Sequence, residues 1–222
     1  MSISDKKAST SVPRPIRAGR GKLGAVYLFL FLFLFACTNT QPTLSPLPDD
    51  AVIIAFGDSL TSGVGAPSGE SYPEILQGLI NRKVIKSGIP GETSDEGLVR
   101  LPSELATHRP KLVLLCLGGN DLLRKMDLEK TASNMSHMVQ IIRNSGAEVI
   151  LIGVPKPGLI LSTARFYKNI SEDMRIPLEG SLLADILADR KLRADPIHPN
   201  AEGYRLLAQG IAAFLRKAGA VP

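Results

Sequence analysis

Two segments of the chain, "KLVLLCL" (111–117) and "EVILIGV" (148–154), are apolar almost throughout, with no alternation of polar and apolar positions. A strand with one face in water alternates; a strand covered on both faces does not, and such strands belong to parallel sheets enclosed by helices. Three further runs, "AVIIAF" (51–56), "KVIKS" (83–87) and the weaker "IPLE" (176–179), complete a set of five candidate strands. Between them, amphipathic spacing predicts helices over 71–82, 94–107, 127–144 and 164–174. A last helix opens at Asn200, a good N-cap, carries Tyr204, Leu207, Ile211, Phe214 and Leu215 on one stripe, and closes with Arg216 and Lys217 before Gly219. Strand-helix alternation of this kind predicts an α/β fold with three α/β/α layers, and sites in such sheets lie beyond the carboxyl ends of the strands.

Charge separates the front of the chain from this unit. The net charge of +5 resides in residues 1–36, where Lys6, Lys7, Arg14, Arg17, Arg20 and Lys22 face only Asp5; beyond them acids and bases balance. A neutral body gives no support for a nucleic-acid partner. The basic region is followed by the apolar run Ala25–Ala36 and then Cys37. About a dozen apolar residues suit a signal sequence and fall short of the ~20 that span a bilayer. "LFAC" (34–37) resembles the lipobox of bacterial lipoproteins, which implies cleavage before Cys37, lipidation of that cysteine and anchoring to a membrane in the cell envelope. Thr38 at the next position implies sorting to the outer membrane where one exists. The expected organisation is therefore a signal peptide over 1–36, a lipidated cysteine with a Pro/Thr/Ser tether over 37–50, and a domain over 51–222. With Cys37 lipidated, Cys116 has no partner for a disulfide, and its place in an apolar strand predicts an inert core thiol.

Polar residues gather at the predicted carboxyl ends. Ser59 follows the first strand in "FGDSLTSG", "GIPGET" (88–93) follows the second, "GGND" (118–121) the third, and "DPIHPN" (195–200) precedes the last helix. A serine hydroxyl needs a base to take its proton, and histidine suits because it titrates near neutrality. Of the three histidines, His198 stands out: Asp195 lies three residues earlier, and Pro196 and Pro199 stiffen the turn so that a carboxylate can hold Nδ1 while Nε2 faces the serine. His108 ends a helix and His137 sits off its helix's apolar stripe, both structural positions. Attack on an ester carbonyl creates an oxyanion, for which the amides of Ser59 and Gly91 and the side-chain NH₂ of Asn120 are candidate donors.

These four segments, in this order, resemble the SGNH (GDSL) hydrolases over about 51–217, and most of all the small bacterial thioesterase, lysophospholipase and arylesterase branch. The resemblance implies a flavodoxin-like, five-stranded parallel sheet of order 2-1-3-4-5. It also implies a triad of Ser59, Asp195 and His198, an oxyanion hole of Ser59, Gly91 and Asn120, and no metal or cofactor. Two features depart from the family pattern. Lys86 stands where the family often has asparagine, and the segment 155–176, which borders the acyl pocket, is short.

Other readings of these residues are weaker. Ser59 alone could be a helix N-cap, but not with Asp195, His198, Gly91 and Asn120 also present. Asp58 and Asp121 are expected to brace their turns. "GVGAPSG" (63–69) misses the spacing of a nucleotide loop, and Asp195 with His198 lacks a third metal ligand. The expected function is hydrolysis of a carboxylic ester or thioester through an acyl-enzyme on Ser59, the substrate being a small-molecule or lipid ester. The alternatives are an O-acetyl esterase for cell-wall or exported polysaccharide and an inactive, membrane-tethered binding module.

Overall fold

The computed structural model describes residues 42–222. The expected signal peptide, Cys37 and the first part of the tether lie outside the described residues. Strands β1 (Val52–Gly57), β2 (Lys83–Gly88), β3 (Leu112–Cys116) and β4 (Glu148–Ile152) pair in parallel. A two-residue strand, β7 (Leu178–Glu179), closes the fifth position, so the sheet order is β2-β1-β3-β4-β7. Two short strands outside this sheet, β5 (Pro155–Lys156) and β6 (Ser162–Thr163), form an antiparallel hairpin. Without that hairpin the order is the expected 2-1-3-4-5.

The apolar runs are buried as their patterning requires. Leu112 to Cys116 have no exposed surface, and β1 is buried from Ile53 onward. Helices cover the sheet in two groups: α8 (Ala201–Lys217) packs on α2 (Tyr72–Ile80) and α7 (Leu182–Ala188), while α5 (Leu128–Asn144) packs on α3 (Ser94–His108) and α6 (Arg165–Met174). Truncating a central leucine such as Leu114, which has no exposed surface, to alanine would cost about 2–5 kcal/mol, because the cavity left under the helices on its face would collapse only in part.

Helix starts follow local chemistry. Thr93 caps α3 in a reciprocal box with Glu96, Asp127 accepts from the amides of Glu129 and Lys130, and Asn200 accepts from Gly203 N–H. Two short helices, α1 (Ser59–Ser62) and α4 (Gly119–Leu123), begin where β1 and β3 end. Asp58, not Ser59, caps α1, its Oδ1 accepting from Leu60 N–H at 3.0 Å.

One expectation needs correction, and two elements were not foreseen. The tether does not run to residue 50, because Leu44 and Leu47 are buried and their amides donate to the carbonyls of Ala218 and Ala220. Spaced leucines among prolines do not register as helical or strand periodicity, so only the structure reveals that they dock beside the C-terminus. Sequence patterning also gave no α7 and no hairpin. The former is a seven-residue helix after Ser181, and the latter has only two residues per strand.

Candidate active site

Ser59 stands at the first position of α1, directly beyond β1. Its Oγ lies 2.9 Å from His198 Nε2, and His198 Nδ1 lies 2.7 Å from Asp195 Oδ2. Asp195 holds the histidine twice, since its Oδ1 also accepts from the amides of Ile197 at 2.8 Å and His198 at 2.9 Å. Burial pushes the Asp195 carboxyl up, but the hydrogen bonds from the His198 ring and from these amides outweigh it and hold it below its ordinary value. An ionised carboxylate only accepts, so Nδ1 carries the ring proton and the Nε2 lone pair faces the serine hydroxyl.

The loop that presents His198 is tied on both flanks. Ala194 N–H donates to His198 O, Asn200 N–H to Leu192 O, and Asn200 Nδ2 to Lys191 O. From the opposite side, Gly65 comes so close that a Cβ there would sit 2.4 Å from Pro199 O and 3.3 Å from His198 Cβ. Its φ of +99° is also one that few side chains tolerate. Of the glycines of "GVGAPSG", Gly65 therefore serves close packing against the histidine loop, while Gly63 abuts Ser71. Tyr204 of α8 strengthens the same junction by donating to Val64 O at 2.8 Å.

The amides of Ser59 and Gly91 meet no acceptor among the described residues. Gly91 has φ +82°, which turns the backbone after β2, and Arg124 holds its carbonyl at 2.8 Å. Asn120 lies in α4, where its Nδ2 donates to Glu92 O at 2.9 Å and to Asp58 Oδ2 at 3.2 Å. Both of its amide hydrogens thus have acceptors in the resting state, so it is a positioned donor and not a free one. Burial pushes the Asp58 carboxyl up to about 7, against the hydrogen bond from Leu60 and with the charge of Glu92 adding to the rise. Asp121 braces its turn by accepting from Ser94 N–H and Oγ–H and from Thr131 Oγ–H.

One pair in this region escaped sequence reasoning. Arg100, on α3, donates from Nε and from a terminal nitrogen to the two carboxylate oxygens of buried Glu92, each at 2.6 Å. The same guanidinium reaches the carbonyls of Gly57 and Ser87 and stacks 4.0 Å above Phe56. It therefore joins the ends of β1 and β2 to the loop that carries Gly91. Lys86 takes no part, being paired with Glu74 at 2.8 Å. Only the residue type of Glu92, acidic in "PGET", offered a signal.

Cys116 is buried, and burial pushes its thiol well up, which makes it unreactive. His108 pairs with Glu104 at 3.8 Å and His137 is exposed on α5. A pocket of about 600 Å³ opens beside Ser59, Asn120 and His198, with the β5–β6 hairpin forming one wall.

The family model described as GDSL-like lipase/acylhydrolase matches residues 55–206. An arylesterase of Vibrio mimicus is 31% identical over 74% of this chain and 88% of its own length. A thioesterase, protease and lysophospholipase of Escherichia coli is 30% identical over 74% of this chain and 83% of its own. The psychrotrophic esterase EstA of Pseudoalteromonas sp., in a structure inhibited by monoethylphosphonate, superposes with a TM-score of 0.68 at 27% identity, over 76% of this chain and 98% of that one.

Proposed function

The chain belongs to the GDSL-like lipase/acylhydrolase family and is an ester-hydrolysing serine hydrolase of the SGNH type, and from that premise we propose that it works through an acyl-enzyme on Ser59. The observation that carries this reading is the continuous chain from Ser59 Oγ through His198 to Asp195. His198 Nε2 takes the hydroxyl proton as Oγ attacks the ester carbonyl, and Asp195 stabilises the imidazolium that results. The amides of Ser59 and Gly91 meet the oxyanion as it forms. Asn120 joins them by turning the hydrogen now shared with Asp58 toward the substrate. His198 then gives its proton to the leaving alcohol, and the same ring activates the water that clears the acyl group.

The acyl group extends along the hairpin wall. Val154, Leu159, Ile160 and Leu161 line that side, and a pocket of about 600 Å³ has room for a chain much longer than acetyl. This supports aliphatic or lipid-type esters over O-acetyl groups as the substrate class. The lipobox-like "LFAC" supports a protein anchored through Cys37 in the cell envelope, at the outer membrane where one exists, so that the pocket meets membrane-derived esters.

A fluorophosphonate probe tests the chemistry. Labelling is expected for the intact protein and lost in Ser59→Ala and His198→Ala; a folded protein that stays unlabelled would make it a binding module. A series of p-nitrophenyl esters should favour medium or long acyl chains, whereas activity confined to acetate would return the O-acetyl reading. Labelling by palmitate should vanish in Cys37→Ser.

A further inference from the structure

The pocket beside Ser59 differs from wall to wall. Besides the apolar residues of the hairpin, its lining includes Arg190 and Arg193, from the same chain segment as Ile197 and His198, which also line it. Neither guanidinium pairs with a carboxylate among the described residues. Arg193 spends one N–H on Leu187 O at 3.0 Å, which fixes its direction, and leaves its other donors available. The acids nearest in the chain are committed elsewhere: Asp189 Oδ1 accepts from Lys191 N–H, and Asp195 holds His198. Asp58, the acidic residue of the lining, is buried, and its two oxygens accept from Leu60 N–H and Asn120 Nδ2. Since acids and bases balance beyond residue 36, two unneutralised arginines in one pocket wall are a local feature and not part of a generally basic surface.

Which half of an ester faces this wall follows from proton transfer. His198 must protonate the leaving oxygen, so the alcohol departs on the histidine side, and the arginines belong to the segment that presents His198. The acyl chain takes the hairpin side. Guanidinium groups bind phosphate oxygens through paired N–H donors, with a directional preference that lysine lacks.

We propose that Arg190 and Arg193 form an anion subsite for the alcohol half of the substrate, so that the enzyme selects acyl esters whose alcohol bears a phosphate group over their neutral counterparts. The proposal rests on the esterase reading above. Binding energy from this contact, remote from the carbonyl, holds the ester for attack.

The test compares two short-chain esters that stay monomeric, 1-hexanoylglycerol 3-phosphate and 1-hexanoylglycerol, by kcat/KM. The phosphate ester should be preferred by about tenfold or more. Arg190→Gln and Arg193→Gln should each lower that ratio several-fold and together bring it near one, while Arg193→Lys should restore part of it. Lys217→Gln, on the remote end of α8, should leave the ratio unchanged. Arg190 is exposed and makes no hydrogen bond among the described residues, so its variant reports even if Arg193→Gln disturbs the loop. Glycerol 3-phosphate should inhibit more strongly than inorganic phosphate; equal inhibition would assign the arginines to free phosphate and overturn the proposal. Equal kcat/KM for the two esters, or a ratio that survives both substitutions, would also overturn it while leaving the esterase reading intact. Failure to cleave either ester would sink that reading first, and the proposal with it.

Discussion

The polar groups around Ser59 are each held by several partners, whereas the tip of the hairpin that borders the pocket is exposed and lightly held. Asp195 receives three hydrogen bonds, Asn120 is tied to two acceptors, and Arg100 binds Glu92 through Nε and one terminal nitrogen while touching the ends of two strands. The hairpin wall, by contrast, rests on two-residue strands, and Leu159 and Ile160 at its tip are largely exposed. On the proposed mechanism the first region serves one reaction geometry, and the second is free to vary with the substrate. If that mechanism holds, the difference makes chemistry and specificity separable, and each should fail in its own way.

The largest expected failure is on the pinned side. Asp195→Asn would put an amide N–H against His198 Nδ1, so Nδ1 would have to accept and the ring proton would move to Nε2. That tautomer cannot take a proton from Ser59, and kcat should fall by about 10³–10⁴-fold with little change in KM. Single-turnover kinetics would check this; a loss below tenfold would mean that Asp195 does not set the tautomer.

Asp58 should show the cost of holding a carboxyl in that region. Its folded value of about 7 exceeds its ordinary 3.8, so the unfolded chain ionises first as pH rises. Stability is therefore complete below about 3.8 and declines as pH climbs to about 7, by an amount on the order of 4 kcal/mol. Glu179, which burial also raises, adds a decline of the same sign. Asp58→Asn should flatten most of the slope in urea midpoints measured between pH 4.5 and 7.5, and an unchanged slope would refute the assignment.

Arg100→Met should leave Glu92 as an uncompensated buried charge. Roughly 3 kcal/mol of stability should go, at the low end for a broken buried pair because Arg100 is partly accessible. At 2–4 °C per kcal/mol the melting temperature would fall accordingly. Adding Glu92→Gln should recover much of the stability but not kcat, since the Gly91 loop stays unanchored. Recovery of both would mean that the pair serves folding alone.

The sequence made the pinned side readable because its parts are local signals: fully apolar strands, small residues at their ends, an aspartate three positions before a histidine between two prolines. Ser59, Asp195 and His198 needed only the strand order to come together. Arg100 was not readable, since a lone arginine on an amphipathic helix has the same pattern whether it faces water or reaches under a sheet edge. Leu44 and Leu47 were hidden among prolines, and Asp58 was expected to brace its turn without any sign that burial would raise its titration. The hairpin and the arginine wall escaped for a different reason: they obey no periodicity, and their place beside the pocket is set by tertiary packing alone.

The hairpin gives the gentlest test of the separation. Leu159 and Ile160 bury nothing in the core, so replacing both by serine should change stability by no more than about 0.5 kcal/mol. They do line the pocket, and an acyl chain long enough to reach them would lose apolar contact. The kcat/KM for decanoyl relative to acetyl p-nitrophenyl esters should drop about tenfold, the low end of what such a contact is worth. Acetyl esters end short of the tip, so the loss must grow with chain length if the wall serves specificity. A uniform loss at every length would instead show that the hairpin positions the groups around Ser59, through α4 packed beside β5, and the two sides of the pocket would then be one device.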